Sequence, residues 1–215
     1  MIKKPFEEIK DTLKTGDIVL FSGQYKMSKV VEELEESKWS HVAMVMRLPE
    51  YDFPLLYEAT ALTNLPNLLD GSHKTGPKIV NMLERLETYG DDLKPYKPPL
   101  YAVRRLEKPL PDTAIPILKD ILKELSGLPN PNDWNMIFGT LLGRYLHIKT
   151  PMTSITCSGF MALTYESLGL LKSKRPINGF VPKDFSTDGK LDLIDNHLGE
   201  EIVMELPLKE EKKYA

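Results

Sequence analysis

Three residues carry the chemistry that this sequence suggests: Cys157, His41 and Glu58. Cys157 is the only cysteine in 215 residues. It follows the cap-type residues Thr153, Ser154 and Thr156, and apolar positions at Phe160, Leu163 and Leu168 continue at helical spacing until Gly169. That pattern predicts a loop breaking into a helix with Cys157 in its first turn, where the helix dipole and unpaired N–H groups favour a thiolate. The competing reading is a small buried hydrophobe, the commoner fate of a free cysteine.

A nucleophilic thiol needs a base, and the base needs a third group to orient it. Of the four histidines, His73 lies in a polar loop, His197 in a charged C-terminal segment, and His147 at the end of a helical run. His41 alone opens an apolar run, Ser40–Met46, where an imidazole without partners is costly. Glu58 interrupts the next apolar run, Leu55–Thr60, on one face with Leu56 and Thr60. Two polar intruders on paired strands can meet across the sheet, although each can also be satisfied structurally. Metal ligation is not suggested: there is no CxxC, HxH or HxxxH spacing, and no glycine-rich phosphate loop, so no cofactor is expected.

The elements that must position these groups follow from periodicity. Residues 6–14 predict a short amphipathic helix, Ile18–Phe21 a buried strand, and Met27–Leu34 a helix. Ser40–Met46 and Leu55–Thr60 read as a hairpin, with further strands at Lys78–Met82, Leu100–Arg105 and Ile202–Leu206 and a short helix near Met82–Tyr89. Residues 61–78 predict a long surface loop of the kind that covers sites. Eight of the seventeen prolines fall between Pro95 and Pro131, and Asp112–Leu125 is an amphipathic helix that tolerates Pro116 only in its first turn. Trp134–Leu146 is apolar on most sides, which predicts a buried helix or one wall of a groove.

In combination these segments resemble a known family. Leu13–Phe21 (LKTGDIVLF), Trp39–Val45 (WSHVAMV), Leu56–Thr60 (LYEAT), Cys157–Phe160 (CSGF) and Pro182–Phe185 (PKDF) are similar to the permuted papain-like hydrolases, the YiiX/YaeF-like branch of the NlpC superfamily related to lecithin:retinol acyltransferase. The resemblance implies an α+β fold, a circularly permuted papain-like antiparallel sheet or barrel packed against helices, with the nucleophile on a helix N-terminus. It implies a single domain over 1–208, with a loop insertion near 61–78, a helical insertion near 110–150 and a charged tail at 209–215. It makes Cys157 the nucleophile, His41 the base and Glu58 the orienting residue, with histidine preceding cysteine in the chain as a permutation requires. Two positions depart from the family's pattern: Ala43 stands where glycine is common, and Gly159 where a polar residue is.

The implied activity is cleavage of an amide bond in a peptide or cell-wall-type fragment through a thioester. The alternatives are a lipid acyl hydrolase or acyltransferase, and a ligand-binding protein that has kept the fold without its chemistry. A formal net charge of -3 gives no footprint for nucleic acid or an anionic membrane surface, no apolar run approaches a membrane span, and the single cysteine fits a reducing, cytoplasmic setting. The expected partner is a small peptide or acyl-containing substrate.

Overall fold

The structure, a computed structural model, describes residues 2–22, 37–89, 100–189 and 191–207. The helix expected at Met27–Leu34 and the tail at 209–215 lie outside the described residues. Seven strands form one sheet in these residues: β1 (Ile2–Pro5), β2 (Ile18–Ser22), β3 (His41–Met46), β4 (Leu55–Thr60), β5 (Gly76–Asn81), β6 (Leu100–Arg104) and β7 (Ile202–Glu205). Their order is β1-β7-β6-β2-β3-β4-β5, an open sheet, antiparallel except for the β1–β7 pair at one edge. The fold is therefore mixed α+β.

The central strands are buried at every position and mostly apolar because both faces of the sheet are covered, so each side of the pleat has a core to enter. Ile18 and Leu20 of β2 join one core with Met44 and Tyr57, while Val19 and Phe21 join the other with Val45 and Leu56. The first core is closed by α3 (Ala114–Glu124) and α5 (Cys157–Ser167), the second by α1 (Phe6–Ile9) and α2 (Met82–Thr88). Pro116 does sit in the first turn of α3. The loop expected at 61–78 is shorter than predicted, since Gly76, Pro77 and Lys78 belong to β5, and β5 ends at Asn81, whose side chain caps α2. β1 has no counterpart among the sequence expectations.

The turn before β2 is a structural joint. Gly16 has φ +102°, and a Cβ there would press against Leu106 and Leu110. Asp17 is buried and accepts from Lys14 N, Leu106 N and Arg105 Nη1 at 2.9, 2.9 and 2.7 Å. Tyr165 of α5 donates its hydroxyl to the Gly16 carbonyl at 2.8 Å, fixing that helix against the start of β2. Phe160 stacks on Tyr57 of β4, with ring centroids 4.6 Å apart, and this sets the N-terminal end of α5 beside β3 and β4.

Helix α4 (Asp133–Tyr145) takes the second of its two expected forms, one wall of a groove. It is not buried: Trp134, Phe138, Leu141 and Tyr145 are all exposed. Its packing side is made of glycine instead. A Cβ on Gly143 would lie 2.5 Å from Gly179 N, and the Gly139 carbonyl accepts from Asn178 Nδ2 at 2.7 Å. Backbone meets backbone on that side, so the bulky side chains must point away.

Candidate active site

His41 is the first residue of β3, so its ring stands at the strand's end beside the N-terminus of α5. The approach to it is anchored by Trp39, fully buried, whose Nε1 donates to Glu201 Oε1 at 3.0 Å. Glu201 also pairs with Lys38 at 2.9 Å and accepts from Thr187 N and Oγ1 at 3.1 Å. His41 is held edge-on to Phe21, its register partner on β2, at 5.1 Å between centroids.

Glu58, with no exposed surface, lies on the same face of β4 as His41 does on β3, and the two bond at 2.9 Å through Nε2 and Oε2. Burial alone would raise the carboxyl pKa, but Arg85, then His41, outweigh it and hold Glu58 at about 2. An ionised carboxylate only accepts, so Nε2 carries a hydrogen and donates it. Nδ1 is the nitrogen left to face Cys157, which acts electrostatically on the imidazole. Burial opposes a charge on His41, yet its neighbours Cys157 and then Glu58 push its pKa up to about 9. The geometry thus joins imidazole and carboxylate directly, with the thiol as a charged-group neighbour of the imidazole.

Arg85 was not anticipated. It is fully buried on α2 and donates Nε to Glu58 Oε1 at 2.7 Å and Nη1 to Asn64 Oδ1 at 2.7 Å. Asn64 belongs to the loop after β4, so that loop braces the guanidinium instead of covering a cleft. The signal was present: Met82, Arg85, Leu86 and Tyr89 occupy i, i+3, i+4 and i+7, which places a cation on the buried stripe of its helix. Lys78, opposite Glu58 on β5, is a second buried cation, and its Nζ donates to the Leu62 carbonyl at 2.9 Å.

Cys157 opens α5 behind the N-cap Thr156, whose Oγ1 accepts from Gly159 N at 3.0 Å. Ser158 donates its hydroxyl to Phe180 O at 2.8 Å, so the Thr156 hydroxyl proton goes to Ser158 Oγ, 3.4 Å away. That hydroxyl is committed to the cap. A Cβ on Gly159 would stand 2.9 Å from Thr156 Oγ1, so a side chain there would disturb the cap. Cys157 borders a cleft of about 450 Å³ whose walls include Ile137, Leu141 and Tyr145 of α4 and Phe180 and Val181 opposite. The far wall is pinned by Asp184, which accepts from Val181 N at 2.8 Å, Arg144 at 2.9 Å and Arg175 at 2.8 Å.

The other histidines stand apart from this cluster. His73 Nδ1 bonds Thr63 O at 2.8 Å, His197 pairs with Glu107 at 2.6 Å on the surface, and His147 lies just beyond α4 with φ +56°.

No known family's profile matches this sequence, and no curated protein does either. Among solved structures, the chain is similar to metalloprotein yiiX from Escherichia coli O157:H7, at 18% identity and a TM-score of 0.48. The match covers 73% of this chain and 66% of that one. Among the described residues of the present chain, no three His, Cys, Asp or Glu side chains converge as a metal site requires.

Proposed function

We propose that this protein is a cysteine hydrolase of acyl compounds, with Cys157 as nucleophile, His41 as acid–base and Glu58 as the group that orients the imidazole. The observation that carries this reading is the His41–Glu58 bond at 2.9 Å beneath a ring that also engages the chain's single thiol. The order His, Glu, Cys along the chain is what a circularly permuted papain-like enzyme would have, and roles rather than order define such a triad.

In the proposed reaction the Cys157 thiolate attacks the acyl carbon, and the carbonyl oxygen gains the charge. The Cys157 backbone N–H, at the first helical position and so without an i−4 partner in α5, donates to that oxyanion. His41 Nδ1–H protonates the departing amine or alkoxide as the tetrahedral adduct collapses to a thioester. Water then gives its proton to Nδ1 and attacks the thioester, releasing a carboxylic acid and restoring the thiolate–imidazolium pair.

An amide of a peptide or cell-wall-type fragment is the first substrate class proposed. A second reading, an acyl ester or acyl transfer between lipids, is favoured by one observation: Ile137, Leu141, Phe180 and Val181 give the cleft beside Cys157 an apolar portion, alongside polar groups such as Thr140, Arg144 and Lys183. The test is iodoacetamide alkylation of Cys157 across pH, in wild type and His41→Ala, followed by a panel of amides and acyl esters. Labelling that persists well below the free-thiol pKa of roughly 8.5 and slows without His41 is the expected result. Slow labelling that rises only near that pH and ignores His41 would point to a non-catalytic binding protein instead.

A further inference from the structure

The bulky side of α4 has no partner among the described residues. Trp134, Phe138, Leu141 and Tyr145, spaced four, three and four residues apart, form one stripe, and Trp134 is 82% and Phe138 64% exposed. Leu146, Ile148 and Met152 extend it beyond the helix and are exposed as well. Globular proteins rarely leave so contiguous an apolar patch without a use for it. The patch cannot turn inward, because the glycine side of the helix is already locked against Gly179.

We infer that this stripe docks the protein on an anionic lipid surface, with α4 lying in the plane of the interface and the Cys157 cleft opening beside it. Charge selects this occupant. Between Trp134 and Met152 the chain carries the cations Arg144 and Lys149 and no carboxylate, the nearest being Asp133 just before the stripe, although its formal net charge is -3. The groove adjoining the stripe adds Lys174 and Arg175 against the single carboxylate of Glu166, while Asp184 beneath pairs with Arg144 and Arg175. A second copy of this face would bring cation to cation, whereas phospholipid headgroups complement it. The composition also suits an interface: Trp and Tyr present amphipathic rings, and long cationic side chains keep their charge in the headgroups while their stems lie on apolar surface. Leu141 and Tyr145 belong both to the stripe and to the cleft that Cys157 borders, so an acyl chain leaving the lipid would have an apolar route to the thiol. That last step rests on the proposed hydrolase; the docking does not.

The two tryptophans supply the assay. Trp39 is fully buried and Trp134 almost fully exposed, so any change of emission on adding lipid reports on α4. The full chain would be titrated with phosphatidylcholine vesicles, with and without phosphatidylglycerol, and binding checked by flotation. Expected are a blue shift and flotation with the anionic vesicles, both weakened by salt. Phe138→Glu and the pair Lys149→Glu/Lys174→Glu should each weaken binding roughly tenfold or more while circular dichroism stays native. Cys157→Ala should bind as wild type does, which separates docking from catalysis. No shift with either vesicle would overturn the inference. So would a concentration-dependent dimer, seen by sedimentation without lipid, that Phe138→Glu dissociates.

Discussion

Arg85 and His41 grip opposite oxygens of one carboxylate: Nε of the arginine reaches Glu58 Oε1 at 2.7 Å, and Nε2 of the histidine reaches Oε2 at 2.9 Å. Glu58 is consequently held from both sides, and the imidazole can rotate little without breaking a charge-assisted bond. Replacing the carboxylate tests its role. Glu58→Gln keeps the shape but offers Nε2 an amide of uncertain face, so turnover should fall by about 10²–10⁴ while substrate binding changes less. Arg85→Met leaves Glu58 buried without its main cation; it should cost about 3–5 kcal/mol in denaturant unfolding. Measuring both separates orientation from stability, because the Gln variant should unfold nearer to wild type than the Met variant.

How stability depends on pH follows from the same cluster. His41 has its pKa raised from 6.5 to about 9 in the fold, so the stabilisation it contributes is complete below pH 6.5 and is lost as pH rises through about 9. Glu58 has its pKa depressed from 4.5 to about 2, so its contribution is complete above pH 4.5 and is lost as pH falls through about 2. Urea unfolding should therefore weaken on both flanks. In His41→Gln the alkaline loss between pH 6.5 and 9 should flatten, and an unchanged alkaline slope would show that another group causes it.

These partners were only partly legible in the sequence. His41 and Glu58 stood out because a polar residue in an apolar strand must be satisfied, and strand alternation placed them on one face. Arg85 escaped because a charged residue in a short helix reads as solvated unless its register is compared with the apolar positions around it. For helix α4 the sequence leaves two forms open for a related reason: apolar content says that a surface is sticky, not what covers it, and the structure takes the groove-wall form. Gly143 marks the packing side, but a missing side chain gives no periodic signal. β1, with Lys3, Lys4 and Pro5 all exposed, has no strand pattern; its partner in β7 defines it. Trp39 and Asp184 lay within recognisable segments, yet their roles as anchors depend on Glu201, Arg144 and Arg175, which are distant in the chain.

The cap of α5 links thiol position to helix stability. Thr156→Val should remove the bond to Gly159 N and cost about 1 kcal/mol, while Thr156→Ser should restore most of it. Gly159→Ala, whose Cβ would meet Thr156 Oγ1 at 2.9 Å, should resemble the valine variant. Thermal unfolding reads the cost. Alkylation of Cys157 should slow in the two cap-disrupting variants and not in the serine variant.

Asp184 ties two arginines and a backbone N–H at the wall of the cleft. Asp184→Asn should lose more stability than Arg144→Met or Arg175→Met alone, since each single arginine variant leaves the carboxylate one cation. Urea denaturation of the three variants gives the ranking directly, and one arginine variant matching Asp184→Asn while the other loses nothing would show that only one of the ion pairs matters.

The parallel pairing of β1 with β7 has a kinetic meaning. Ile2 and Ile202 face each other across 200 positions of chain, so this ladder closes a loop far larger than those of the β2–β3 or β3–β4 pairs. Loop-closure entropy delays such a contact until the intervening strands have already assembled. The short, solvent-facing β1 should accordingly be the last strand to join during refolding and the first to open, its amides exchanging with solvent long before those of β3. When it opens, the β7 edge is bared, and the lysines of β1 are then no longer in place to discourage another chain from pairing there.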